Sequence, residues 1–154
     1  MPRVAENAIQ KRLVLARNGQ DPRVIGRMES GWLVLADTQP LAGYCILMAD
    51  PDVESLNAMP EAARLRYLSD TVRAGDALLR ATGAERINYE TWCNLAPSLH
   101  THIVPRYANE APKQRVLPMC VAYDVAAARP FDSVADAPLM HTLRKLLDIT
   151  PAGV

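Results

Sequence analysis

Histidine is scarce in this chain, with three residues in 154. Cysteine is as scarce: Cys45, Cys93 and Cys120 stand far apart, with no CxxC or CxxH spacing. That argues against a zinc site or a disulfide framework and suits free thiols in a reducing cytoplasm. Net charge is missing too. Seventeen basic residues balance seventeen acidic ones, so nothing at the level of the whole molecule favours nucleic acid or an anionic membrane as a partner. No apolar run approaches the ~20 residues that span a bilayer. Residues 1–20, MPRVAENAIQKRLVLARNGQ, lack the apolar core and cleavage site of a signal peptide. A soluble, cytoplasmic protein is the expectation. There is no P-loop, no G-x-G-x-x-G, no internal repeat and no low-complexity tract.

The chain length suits one domain. Residues 4–17 predict a short helix with Val4, Ile9, Leu13 and Leu15 on its apolar side, broken by NGQDP at 18–22. GWLVLAD (31–37) and YCILMA (44–49) predict strands joined by the turn TQPLAG, an antiparallel pair. PEAARLRYLSDTVRAGDALLRATG (60–83) predicts a long helix with Leu65, Leu68, Val72 and Leu79 in one stripe. Pro60 and Glu61 suit its start and Gly83 its stop. Strands follow at 86–90 and 98–106. Residues 116–124 read as extended or irregular, and 137–148 as a last helix. The order does not alternate as β-α-β-α, so an α+β domain with an antiparallel sheet fits. Seven of the twelve prolines fall from Pro97 onward. Residues 1–110 are therefore expected to form the body of the domain. Residues 111–154 form an irregular C-terminal extension of it with a short final helix.

Two of the three histidines sit together in NLAPSLHTHIVPRY, residues 94–107. On a strand Ser98, His100, His102 and Val104 share one face, and Leu99, Thr101 and Ile103 share the other. The second is apolar and suits the core, which leaves the Ser/His/His face accessible. Two imidazoles so placed suit metal binding, a nucleophile with a helper, or plain hydrogen bonding. A metal needs further ligands. The remaining histidine, His141, lies in the final helix and reads as an ordinary helix residue.

The segment SLHTHIVPR resembles the signature of the histidine triad (HIT) superfamily, a strand reading His-φ-His-φ-His-φ-φ that often continues Pro-Arg. Aligned on IVPR, His102 takes the third triad position, His100 the middle one and Ser98 the first. Upstream, WLVLADTQPLAGYCILMAD is similar to the family's first hairpin, in which an acidic or Asn residue precedes a turn and then pGHvLviPk; Asp37 falls at the acidic position. The resemblance covers roughly residues 20–107. It implies an antiparallel sheet of about five strands with the long helix packed on one face. It also implies a homodimer formed through that helix and an edge strand, and a nucleotide or dinucleotide substrate with no metal or other cofactor. By the resemblance His100 attacks the α-phosphate to form a covalent nucleotidyl-histidine, in a phosphohydrolase or nucleotidyl transferase. His102 contacts a phosphate oxygen or the leaving group, and Asp37 holds the ribose.

The sequence departs from the family pattern at Ser98, at Asn94 where Gln is usual, at Leu95 where Ser or Thr is usual, and at ETWC, which replaces glycines. These departures also suit a nucleotide-binding or interaction protein with weak catalysis. Asn88 either lies near the phosphate path or ends a strand. Arg106 either holds phosphate or merely leaves the strand. Asp37 also suits an Asx turn, and Trp92 suits packing as well as stacking on a base.

Overall fold

The computed structural model describes residues 6–151, so the expected role of Val4 lies outside the described residues. Asn7 opens helix α1 (Ala8–Arg17) with a capping box. Its side chain accepts from the Ile9 and Gln10 N–H groups, and Gln10 reaches back to the Asn7 N–H. Ile9, Leu13 and Ala16 form the buried side of α1. Strands β1 (Val24–Arg27), β2 (Gly31–Leu35) and β3 (Cys45–Ala49) follow, then a one-turn 3-10 helix at Leu56–Ala58. Next come helix α2 (Glu61–Thr82) and strands β4 (Arg86–Glu90) and β5 (His100–Arg106). The chain ends with α3 (Pro112–Arg115), α4 (Met119–Ala122) and α5 (Ala137–Leu147). The five strands form one antiparallel sheet in the order β1-β2-β3-β5-β4, which makes the fold α+β. No helix among the described residues is long and apolar enough to cross a membrane.

Two apolar layers sandwich the sheet. On one side Leu33, Leu35, Leu47 and Ile103 pack against Tyr67, Ala74, Ala77 and Leu78 of α2 and Met140, Leu143 and Leu147 of α5. On the other, Val34, Ile46, Met48 and Val104 pack against α1 and Met119. Both faces of β5 are therefore covered. Leu99, Thr101 and Ile103 face α2 as the alternation requires, but Ser98, His100, Val104 and Arg106 are buried as well. The expectation of an accessible histidine face is corrected: α1 and the chain after β5 lie over it.

The stripe expected to seat α2 faces outward. Leu65, Leu68 and Val72 are 60%, 43% and 49% exposed. The inward face is small and polar instead: Tyr67, Asp70, Thr71, Ala74, Gly75, Ala77 and Leu78. Its polar groups are satisfied. The Tyr67 hydroxyl donates to the Leu47 carbonyl at 3.0 Å, and Asp70 accepts from the Ser30 N–H at 2.8 Å and hydroxyl at 2.7 Å. Small residues let the helix lie close to the sheet. At Gly75 a Cβ would stand 2.1 Å from the Tyr89 hydroxyl of β4. The expected stop holds: Gly83 caps α2 in the left-handed region at φ 70°.

Strand β1 was not expected. VIGR is short, a bulge breaks its register between Val24 and Gly26, and its pairing with β2 defines it. Arg144 of α5 donates to the Ile25 and Val24 carbonyls at 2.6 and 2.9 Å, covering that outer edge. Residues 116–124, expected extended or irregular, contain α4, a single turn that starts after Pro118 and buries Met119.

Candidate active site

A cavity of about 760 Å³ opens between α1 and the sheet. Its floor is Ile46, His100 and His102. Ile9 and Arg12 of α1 form one wall, Asp37 stands at one end, and the loop after β4, with Trp92, Asn94 and Leu95, forms the rim. β5 positions the histidines. His100 lies opposite Met48 and His102 opposite Ile46 on β3, and His102 lies opposite Glu90 on β4.

The two rings are 5.1 Å apart, edge to face, and each commits one nitrogen to the protein. His100 Nδ1 is 2.7 Å from the Ser98 carbonyl oxygen. A carbonyl only accepts, so Nδ1 carries the hydrogen and Nε2 keeps its lone pair. His102 Nδ1 is 2.5 Å from the Tyr44 hydroxyl. Burial, reinforced by neighbouring His100, lowers the His102 pKa from 6.5 to about 4 and keeps the ring neutral near pH 7. The loop before β5 is pinned by Cys93, whose thiol lies 3.5 Å from the His100 N–H and 3.4 Å from the His100 carbonyl.

Asp37, just past β2, presents an exposed carboxylate clamped by Arg12 of α1 and Arg23, which precedes β1. Arg23 also pairs at 2.9 Å with the buried Asp21. Asn94 lines the cavity and is exposed, and Leu95 beside it is fully exposed. Ser98 does not reach the cavity with its side chain. It is fully buried, and its hydroxyl accepts from the Asn7 side chain at 3.0 Å. Its backbone carbonyl, which any residue would supply, is what orients His100.

Asn88 and Arg106 share the histidine face of the sheet but lie at the far end, outside the cavity. Arg106 pairs with Glu110 at 2.9 Å and donates to Asn88 at 2.8 Å and to the Leu117 and Gln114 carbonyls. A guanidinium so occupied has no donor to offer a phosphate, and neither Arg106 nor Asn88 lines the cavity. His141 lies in α5, outside the cavity, as an ordinary helix residue. Among the described residues, no group of three or more His, Cys, Asp or Glu side chains is placed to hold a metal ion.

This arrangement of sheet and helices recurs in solved structures. A histidine triad protein from Marinobacter aquaeolei VT8 superposes with a TM-score of 0.71 at 16% identity, covering 94% of this chain and 98% of its own. The chain has the HIT fold. A histidine triad protein from Bradyrhizobium japonicum matches at TM-score 0.68 and 21% identity, over 80% of this chain and 89% of its own. A hypothetical histidine triad nucleotide-binding protein from Sulfolobus tokodaii strain7 matches at 0.62 and 12%, over 82% and 83%. No protein-family model matches the sequence, and no curated protein does.

Three residues of the site in this HIT fold escaped the sequence: Arg12 and Arg23, which line the cavity, and Tyr44, which lies behind His102. Arg12 and Arg23 reach Asp37 from separate elements, and no local pattern links them. Tyr44 had a signal: it follows Gly43 in the hairpin, where the pattern pGHvLviPk carries histidine.

Proposed function

We propose that the cavity binds a nucleotide and that His100 attacks its α-phosphate, in a phosphohydrolase or nucleotidyl transferase acting on a (di)nucleoside polyphosphate or nucleoside phosphoramidate. The observation that carries this reading is the His100 imidazole: Nδ1–H bound to the Ser98 carbonyl, and an Nε2 lone pair turned to the cavity. In the first step the Nε2–P bond forms and the bond from phosphorus to the leaving group breaks. The leaving group departs with the bonding pair and takes a proton from water. The ring gains positive charge as the Nε2–P bond forms, and the Ser98 carbonyl steadies it through Nδ1–H. Water, or another acceptor hydroxyl, then attacks phosphorus and loses its proton. The Nε2–P bond breaks and neutral His100 returns.

His102 serves as a hydrogen-bond donor to phosphate oxygen and not as an acid, because burial keeps it neutral. Asp37 accepts from the ribose hydroxyls, its carboxylate held in place by Arg12 and Arg23. Asn94 stands at the phosphate rim. The nucleotide-binding description of the Sulfolobus tokodaii neighbour supports the ligand class. No role is assigned to Asn88 or Arg106, and Ser98 acts through its backbone.

Intact-protein mass spectrometry after brief mixing with a nucleoside phosphoramidate tests the chemistry, beside a His100→Asn control. One added nucleotidyl group, absent in the control, is expected. Nucleotide binding with neither adduct nor product would overturn catalysis in favour of a binding protein. Leu95 motivates that second reading, since a fully exposed apolar side chain stands where a phosphate donor is usual.

The assembly belongs to the same proposal. Leu65, Leu68 and Val72 form an exposed apolar stripe on α2, and β4 is a sheet edge beside it. A symmetric homodimer would cover both. Light scattering is expected to find a dimer, and Leu68→Glu with Val72→Glu a monomer; a monomeric native chain would refute it.

A further inference from the structure

We infer that Tyr44 is a positioning residue: its hydroxyl selects the tautomer of His102 and so turns an N–H, not a lone pair, toward the cavity. The inference rests on the proposed nucleotide site for its purpose, but its core claim concerns the apoprotein alone.

The geometry makes the choice. Tyr44 Oη lies 2.5 Å from His102 Nδ1, and that ring nitrogen is its hydrogen-bond partner among the described residues. If Nδ1 carried the hydrogen and donated, the tyrosine hydrogen would be left without an acceptor on a residue only 6% exposed. With the tyrosine donating, every group is satisfied. Nδ1 accepts, Nε2 carries the hydrogen, and Nε2 is the nitrogen left for the cavity. The phenol keeps its proton because burial raises its pKa, with Glu90, Cys120 and Cys45 adding to the shift.

Tyr44 is also held where it must be. Its carbonyl accepts from the Ala36 N–H at 3.0 Å and from the Gln39 side chain at 3.0 Å, and its N–H donates to the Leu41 carbonyl at 3.2 Å. The two rings are stacked at 5.8 Å. The charged and titratable groups around the pair are His100 on β5, Glu90 on β4, Cys45 on β3 and Cys120 on α4. Among the described residues, none of them hydrogen-bonds to the His102 ring, whose partner is Tyr44. The result is a matched pair of opposite tautomers. A carbonyl makes His100 a base at Nε2, and a hydroxyl makes His102 a donor at Nε2.

The test is long-range ¹H–¹⁵N NMR of the apoprotein and its Tyr44→Phe and Tyr44→His variants, with adenosine and guanosine 5′-monophosphate titrations. In the native chain His102 Nδ1 is expected bare and Nε2 protonated. Tyr44→Phe keeps the ring packing and is expected to mix the tautomers, and to weaken monophosphate binding by about tenfold, the worth of one hydrogen bond. Tyr44→His, which can donate again, is expected to restore most of the affinity. An unchanged His102 tautomer in Tyr44→Phe would overturn the inference; changed tautomers with unchanged affinity would uphold it and overturn instead the phosphate contact proposed for His102. A native chain that shows the tautomer effect but forms no nucleotidyl adduct would sink the catalytic reading and leave Tyr44's role standing.

Discussion

At one end of β5, His100 and His102 each give a single ring nitrogen to the protein and leave the other facing a cavity. Further along the same face, Arg106 spends every N–H: on Glu110, on Asn88, and on the Leu117 and Gln114 carbonyls. Both ends carry polar residues, with His100 and Arg106 buried and His102 half-buried. They differ in what is left over. An unspent nitrogen beside empty volume can meet a ligand, whereas a saturated guanidinium can only hold the chain after β5 in place. Residue type named both ends as candidates; hydrogen-bond accounting separates them.

Substitutions at the two ends should therefore fail differently. The largest effect is expected from His100→Asn. The amide can still donate to the Ser98 carbonyl, so folding should survive, while adduct formation should fall by at least about 10³-fold. Mass spectrometry and a thermal melt together check this. A large loss of melting temperature would mean His100 is structural.

Arg106→Met should do the reverse. It strands buried Glu110, at a cost of about 3–5 kcal/mol, and should lower the melting temperature by roughly 10 °C with little change in nucleotide affinity. Burial alone would raise the Glu110 pKa, but hydrogen bonds from Arg106, the Tyr107 N–H and Tyr123 outweigh it and hold it below 4.5. That stability is present above pH 4.5 and is lost as pH falls through the lowered value. The gap between native and variant should narrow there, as followed by denaturant titration.

The histidine end should lose stability in a different window. An unfolded His102 takes its proton near pH 6.5 and the folded one only near 4. Between these values the unfolded state binds more protons, so stability should be lost as pH falls, by up to about 1.4 kcal/mol for each pH unit of acidification. His102→Gln should flatten that slope. An unchanged slope would show that His102 is not held neutral. Smallest of all, Leu95→Ala at the exposed rim should change stability by less than about 0.5 kcal/mol.

How much of this was legible depended on whether the signal was local. The histidine strand was readable because alternation and the flanking prolines lie within one segment. The long helix was readable by its period, but the period cannot say which side of a helix meets its own core. In α2 the large apolar side chains point out, and alanine, glycine and paired polar groups point in. Strand β1 was hidden because its signal is its partner β2. The same holds within the cavity. His100 and His102 could be named from spacing, whereas the Arg12–Asp37–Arg23 clamp and the Tyr44 contact join elements far apart in the chain. Ser98 was read as a lost side chain, but its contribution is a carbonyl.

The chain has two tryptophans, and they differ in surroundings. Trp32 is 7% exposed, with its indole N–H 2.9 Å from Asp50 and Arg27 over its ring. Trp92 is 58% exposed at the cavity rim. Their fluorescence should separate into a blue component shielded from dissolved quenchers and a red one open to them. A ligand entering the cavity would screen the second and leave the first unchanged. The unlabelled protein thus carries both a reporter of occupancy and an internal reference, and Trp92→Phe would silence the reporter alone.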